Sequence, residues 1–401
     1  MQLSGKTKTA CIVLAVLTIV GIGAWIFQLM NGLGVTGMNN ASSWGAYIIM
    51  FMFFVGLSAG GLIVASSAHV FGIESFKKIA LPAVIVSTVC ICLAGMFILI
   101  DLGGIHRVWR IIVNAHFTSP LLWDVCVITC YLVINILDLI WLKKGDEKKV
   151  HVLSYIALPV AILVHSVTAW IFGLQIAKAW FSAIMAPIFV ASALDSGLAL
   201  LLIALFALER AKIIALEEGL VTKLGKLLAT FIAADAFFIG CEVLTMGYNG
   251  ASESVALSEM AFGATAPFFW FELIGGLLIP FLVLASAKRR KNKGLVIFAS
   301  VMVVLGVLCK RIWLLLTSFI TPNIAGAPGV SLGTLTAQGD GSSMWALSGS
   351  YLPTAIEVII IIGVLSLGVL AFVLLSQALL KKNVAPNDVS VDTLKAANET
   401  A

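Results

Sequence analysis

The chain has 401 residues, 61% of them hydrophobic and 11% charged, with a formal net charge of +5. Soluble domains carry about a quarter charged residues, so a soluble enzyme is excluded and an all-α integral membrane protein is expected. The basic excess does not suggest nucleic acid, because lysines and arginines fall in short clusters between apolar runs, as topology signals do.

A span needs about 20 apolar residues. Ten candidates follow one another, at 10–30, 44–71, 79–101, 121–142, 151–173, 183–208, 224–247, 265–287, 294–317 and 354–380. The basic start and apolar run of MQLSGKTKTACIVLAVLTIVGIGAWIF resemble a signal peptide. The run is too long and lacks a clear cleavage site, so it reads as a retained first helix. Twenty of the 25 basic residues lie before the first span, in alternate connectors, or after the tenth. The connectors 31–43, 248–264 and 318–353 have none. The positive-inside rule therefore expects both termini in the cytoplasm.

Two features depart from that alternation. The outer connector DLGGIHRVWRIIVNAHFTSP carries His106, Arg107, Arg110 and His116, which suits either lipid headgroups or a docked partner. Lys310 and Arg311 lie inside the ninth span, and Lys178 lies in another outer connector. The connector 318–353 is rich in Gly, Ser, Thr and Pro and contains Trp345 and Tyr351, so it reads as a surface loop, and a flexible tail is expected beyond the last span.

Ionisable groups inside spans are costly and usually mark sites or pathways. At 1.5 Å per residue, His165 lies about 21 Å from the basic face, in the outer half. Asp101 ends the third span at the outer surface, and Asp124 lies about one turn below it on the fourth. These three groups form one outer layer that suits hydrogen bonding and proton exchange with a polar ligand. Glu242, Glu272, Arg311 and Glu357 also compute to the outer half. Arg311 paired with one or two of the glutamates is the expected clamp, structural or functional. Asp195 and Asp235 sit nearer mid-membrane without an obvious basic partner, either on a proton path or simply hydrogen-bonded.

All seven cysteines fall in apolar runs without CxxC, and no two histidines match in depth on facing spans, so neither an iron–sulfur cluster nor haem is expected in this chain. GLSAGG (Gly56–Gly61) reads as small residues for close helix approach, which also leaves room for a flat ligand beside Gly60 and Gly61.

Seven stretches stand out in order along the chain: WGAYIIMFMFFVGLSAGG (Trp44–Gly61), IDLGGIHRVW (Ile100–Trp109), FTSPLLWD (Phe117–Asp124), HSVTAWIFGLQIAKAW (His165–Trp180), APIFVASALDSGLALL (Ala186–Leu201), FWFELIGGLLIPF (Phe269–Phe281) and YLPTAIEVIIIIG (Tyr351–Gly363). Together they resemble the NrfD family, the membrane subunits of respiratory complexes such as polysulfide reductase, in its ten-helix branch (HybB-, QrcD-, ActC- and DsrP-like).

The resemblance implies a first helix with an outer loop (1–43) and a four-helix bundle with a quinone site (44–182). A second four-helix bundle (183–318) follows, then an outer loop, last helix and cytoplasmic tail (319–401). Asp101, Asp124 and His165 become quinone-site candidates, with a membrane quinone such as menaquinone as the redox partner. A ferredoxin-like iron–sulfur subunit would dock on the outer face, near His106, Arg107 and Arg110, and pass electrons to a catalytic or cytochrome subunit. It also implies the cytoplasmic membrane of a prokaryote. The chain departs from the short-chain members at Ile49 and Met52, where those carry an asparagine and a histidine that contact the quinone. The competing reading is a secondary transporter or proton-translocating protein, since ten spans with buried acids also describe transporters.

Overall fold

The computed structural model describes residues 5–175, 178–248, 254–322 and 349–380. Among them ten helices are long and apolar enough to cross a membrane. They are α1 (Gly5–Asn31), α2 (Ala46–Val70), α3 (Glu74–Asp101), α4 (Pro120–Lys144), α5 (Glu147–Gly173), α6 (Met185–Arg210), α7 (Glu218–Gly247), α8 (Ala266–Ala285), α9 (Lys293–Ile320) and α10 (Ala355–Leu380). Each coincides with an apolar run of the sequence. In hydrocarbon the backbone must satisfy its own hydrogen bonds, so such runs become helices. Most of the connector 318–353, including Trp345, and the tail with Lys381, Lys382 and Lys395 lie outside the described residues.

Helices α2, α3, α4 and α5 pack in a ring, and α6, α7, α8 and α9 pack in a second ring. Contacts of α2 with α6 and α9, and of α5 with α6, join the rings, while α1 and α10 pair and lean on α3. Every residue of α2 from Tyr47 to Leu62 is buried, whereas α1 is largely exposed along its length. An apolar helix with no polar face suits a position enclosed by others. The approach at α2 is close because Gly60 lies directly against the Gly197 backbone of α6. On another face a Cβ at Gly61 would come within 2.5 Å of the Ala83 carbonyl of α3. Glycines of this kind let transmembrane helices approach backbone to backbone. The α1–α10 pair uses the same device at Gly21 and Gly363.

Caps and ion pairs fix the basic face. Asp146 accepts from the Lys149 N–H at the start of α5, and its bonds to Lys149 and the lysine charge hold its carboxyl below the usual range. Lys78 pairs with Glu217 at 2.6 Å, and Lys293 pairs with Glu209 at 2.7 Å. Helix α8 is irregular: Phe271–Leu278 forms a π-helical segment. Pro280 cannot donate to the carbonyl four residues earlier, and Gly275–Gly276 tolerates the wider turn. Gly276 faces Gly306 of α9 across this segment.

Gly60→Val is expected to lower the melting temperature of the purified protein strongly, since overpacking costs about 1–3 kcal/mol even where side chains can yield. Gly95→Val on α3, where an added Cβ meets no atom within 4 Å, is expected to leave it nearly unchanged.

Candidate functional site

The half of the first ring away from the basic clusters, the outer half if those clusters face the cytoplasm, holds Asp124 and His165. Asp124, in the second turn of α4, is buried and accepts a 2.7 Å hydrogen bond from the Thr168 hydroxyl of α5. Thr168 lies one turn outward of His165. The imidazole Nδ1 is 3.0 Å from the Ala161 carbonyl. A carbonyl only accepts, so Nδ1 carries a proton, and in the neutral tautomer Nε2 is the acceptor nitrogen. That nitrogen is buried and has no hydrogen-bond partner among the described residues. The ring lies against the α2 backbone at Val55 and Gly56 and within electrostatic reach of Arg311. Toward the outer surface Trp44, Phe172, Trp180, Phe189 and Phe319 form an aromatic layer, with Trp44 and Trp180 stacked at 6.2 Å.

Asp101 does not join this pair. No hydrogen bond links it to His165 or Asp124 among the described residues. It faces Tyr47 and Glu357 instead, with Oδ1 buried and unpartnered among them. Glu357 accepts from the Tyr351 hydroxyl at 2.6 Å and from the backbone of Gly37 and Thr354, each at 2.8 Å. The Tyr351 oxygen in turn accepts from the Ala46 N–H. Burial and the neighbouring carboxylate push the Tyr351 phenol above its usual range, so it stays a donor. Asp101 and Glu357 thus belong to the junction of the α1–α10 pair with the first ring. Depth along a helix places residues on a level but does not say which way they face.

The second ring corrects the expected pairing. Arg311 is not bound to a glutamate among the described residues. Its Nη2 donates to the Ser192 hydroxyl at 2.7 Å, and its guanidinium lies 4.0 Å from the Phe189 ring centroid. Lys310 is the clamp, holding Asp235 through both oxygens at 2.8 and 3.0 Å and Glu272 at 3.4 Å. Asp235 therefore has a basic partner after all. Glu272, buried on the π segment, also accepts from the Trp313 indole. Asp195 lies within reach of Asp235, Lys310 and Arg311, but neither of its oxygens has a hydrogen-bond partner among the described residues. Glu242 accepts from Ser182. Gly60 and Gly61 face backbone of neighbouring helices, so they are packing residues and leave no room for a flat ligand.

Arg311 and His165 meet across Gly56, where an added Cβ would stand 3.7 Å from Arg311 Nη2 and 3.9 Å from the Ser196 hydroxyl. A cavity of about 40 Å³ above Lys310, lined by Glu242, Trp180, Trp313 and Thr317, has room for a few waters but not for a ring. An apolar groove of about 350 Å³ between α5, α6 and α7 includes Ile162, Ser166, Val190 and Phe238.

At the outer surface His106, Arg107 and Arg110 are exposed. Arg107 donates to the His106 ring, and Arg110 lies over Trp109 at 5.7 Å. Exposed Ile112, Val113 and Phe117 adjoin them. Lys178, over the Phe319 ring at 4.2 Å, has its ammonium pKa lowered by burial.

One network carries no charged group to announce it in the sequence. The Tyr131 hydroxyl of α4 is 3.1 Å from Ser58 of α2 and 2.9 Å from Ser87 of α3, and these two serines are 3.1 Å apart. Its one visible signal is the spacing of Asp124, Tyr131 and Asp138 at seven-residue intervals, one face of a helix.

Ten spans in two rings, with buried acids and a bare imidazole in the outer half, define a polytopic membrane protein with a polar site inside it. The family model "Polysulphide reductase, NrfD" matches residues 34–323, and the chain belongs to that family. It is 36% identical to a putative dimethyl sulfoxide reductase membrane subunit of Halobacterium salinarum, over 89% of this chain and 88% of that protein. It is 28% identical to a selenate reductase subunit of Mesobacillus selenatarsenatis, over 78% and 83%. An Hdr-like menaquinol oxidoreductase integral membrane subunit of Archaeoglobus fulgidus is also 28% identical, over 90% of each chain.

Lys310→Met strands two buried carboxyls, and breaking a buried pair costs about 3–5 kcal/mol. The purified protein is expected to melt well below the unaltered chain, and Lys310→Met with Asp235→Asn is expected to recover part of the loss.

Proposed function

We propose that this chain is the quinone-reactive membrane subunit of a respiratory oxidoreductase in a prokaryotic cytoplasmic membrane. It exchanges electrons between a membrane quinone, of the menaquinone class, and an iron–sulfur subunit docked at its outer face. The observation that carries this reading is the buried Nε2 of His165, a proton acceptor with no partner among the described residues, beside the Thr168–Asp124 pair. An orphaned buried acceptor is costly, and a ring hydroxyl of a quinol satisfies it. The names of the relatives, above all the menaquinol oxidoreductase subunit, support the same substrate class.

In quinol oxidation two electrons and two protons leave the ring. His165 Nε2 takes a hydroxyl proton while Nδ1 stays bonded to the Ala161 carbonyl, so the imidazole holds its orientation as it becomes charged. Thr168 holds Asp124 by a hydrogen bond, and Asp124 is the acceptor for the second proton. The apolar groove between α5, α6 and α7 suits part of the isoprenoid tail. His106, Arg107 and Arg110, with exposed apolar side chains beside them, offer the docking face for the iron–sulfur subunit. That protein would pass electrons on to a catalytic or cytochrome subunit.

The Lys310 cluster and the π segment at Glu272 favour ion translocation as the second reading. Ion movement by this chain in vesicles without any electron donor would separate it from the first.

His165→Ala is expected to lower quinol-linked electron transfer at least a hundredfold in membranes where the partner subunits still assemble, as for loss of a general base. Unchanged transfer would exclude the proposed role.

A further inference from the structure

The basic face differs between the two rings. In the first, the connector KKGDEKK mixes its lysines with Asp146 and Glu147, and Lys149 pairs with Asp146 at 2.8 Å. In the second, α7 carries Lys223 and Lys226, and the α8–α9 connector carries Lys288, Arg289, Arg290 and Lys291. Neither residues 219–232 nor residues 286–292 include an acid. Topology needs only an excess of lysine and arginine in the connectors. It does not require the cations of two connectors to meet in space.

The fold makes them meet. A Cβ added at Gly225 of α7 would stand 3.4 Å from Arg290 Cδ and 3.7 Å from Leu284 of α8. Lys223 and Lys226 flank that glycine, three residues apart and both exposed, so they share one side of α7 beside Arg290. The connector folds back because its arginines serve the end of α8, where the last four carbonyls have no intrahelical partner. Arg289 Nη1 donates to the Leu282 carbonyl at 3.1 Å, and Arg290 Nη1 donates to those of Leu284 and Ala285.

Charge is left over once these bonds are made. Arg290 Nε is buried with no hydrogen-bond partner, and none of the six cations has an ion pair, among the described residues. Glu217 reaches Lys223 electrostatically, but Lys78 holds it at 2.6 Å. Glu209, at the end of α6, is held by Lys293 at 2.7 Å. Beside the patch Leu282, whose carbonyl holds Arg289, exposes its side chain. Long basic side chains at such a boundary lay their stems on apolar surface and keep their charges at headgroup level. Basic pockets between transmembrane helices suit the phosphates of acidic lipids.

We propose that this patch holds an anionic phospholipid with two phosphates, of the cardiolipin class. One phosphate lies against Lys223 and Lys226 and the other against the connector, so the lipid ties α7 to the α8–α9 connector. A lipid with a single phosphate neutralises less of the patch and reaches one side of it. The inference is independent of the quinone reading.

Native mass spectrometry of the full chain, delipidated in detergent and titrated with single lipids, tests it. Cardiolipin is expected to bind at least tenfold more tightly than phosphatidylglycerol or phosphatidylcholine. The variant Lys223→Gln, Lys226→Gln, Lys288→Gln, Lys291→Gln is expected to lose that preference and to melt like the unaltered chain in phosphatidylcholine. Lys143→Gln with Lys144→Gln and Lys148→Gln, which removes three cations from the first ring, is expected to keep it. The proposal is overturned if cardiolipin is held no more tightly than phosphatidylglycerol, if the second-ring variant keeps the preference, or if the first-ring variant loses it equally. Should the fourfold variant fail to fold, Lys223→Gln with Lys226→Gln alone is expected to weaken cardiolipin binding at least threefold, and unchanged binding there overturns it too. Sodium pyrophosphate at the lipid's concentration is expected to leave the lipid bound. Displacement would assign the patch to free phosphate and overturn the lipid site.

Discussion

The backbone approach of α2 to α6 at Gly60 and Gly197 is the contact on which the rest depends. It places α2 where no residue from Tyr47 to Leu62 meets lipid. That burial lets a side chain from either ring reach the same stretch of α2. His165 reaches Val55 and Gly56 from one side, and Arg311 reaches Gly56 from the other. The two rings are therefore joined by packing at α2, with the Arg311 cation of one near the imidazole of the other.

Charge inside the protein is divided between them. The first ring keeps few buried ionisable groups, Asp124, Asp138 and His165 among them. The second ring concentrates its charges, with Lys310 gripping Asp235 and Glu272 and Arg311 seated on Phe189 and Ser192. A desolvated cation needs such company. Pairing in the second ring is nevertheless incomplete, because both Asp195 oxygens and two Arg311 nitrogens have no hydrogen-bond partner among the described residues.

Much of this was legible from the residues alone. Run length and basic clusters located ten spans, because helix formation in hydrocarbon leaves few alternatives. Antiparallel neighbours and depth put Asp124 on the level of Thr168, to which it is hydrogen-bonded. Facing was not legible. Asp101 shares the outer level but turns to Glu357, and the adjacent Lys310 and Arg311 diverge by roughly the 100° that separates neighbours on a helix. Nor did apolar-run counting weigh Tyr131, Ser58 and Ser87, whose hydroxyls matter only once three helices bring them together. The π segment of α8 left a trace in Gly275, Gly276 and Pro280, but the inward turn of Glu272 depends on Trp313 and Lys310 from α9.

The central claim is that a quinone ring meets this protein at His165, in the first ring. Photolabelling the purified protein with an azido-quinone, followed by peptide mapping, tests it directly. Saturable label on α2, α4 or α5 within a turn or two of Val55, Asp124 or His165, displaced by excess unlabelled quinone, is the predicted result. Saturable label confined to α6–α9, or no displaceable label at all, would contradict it.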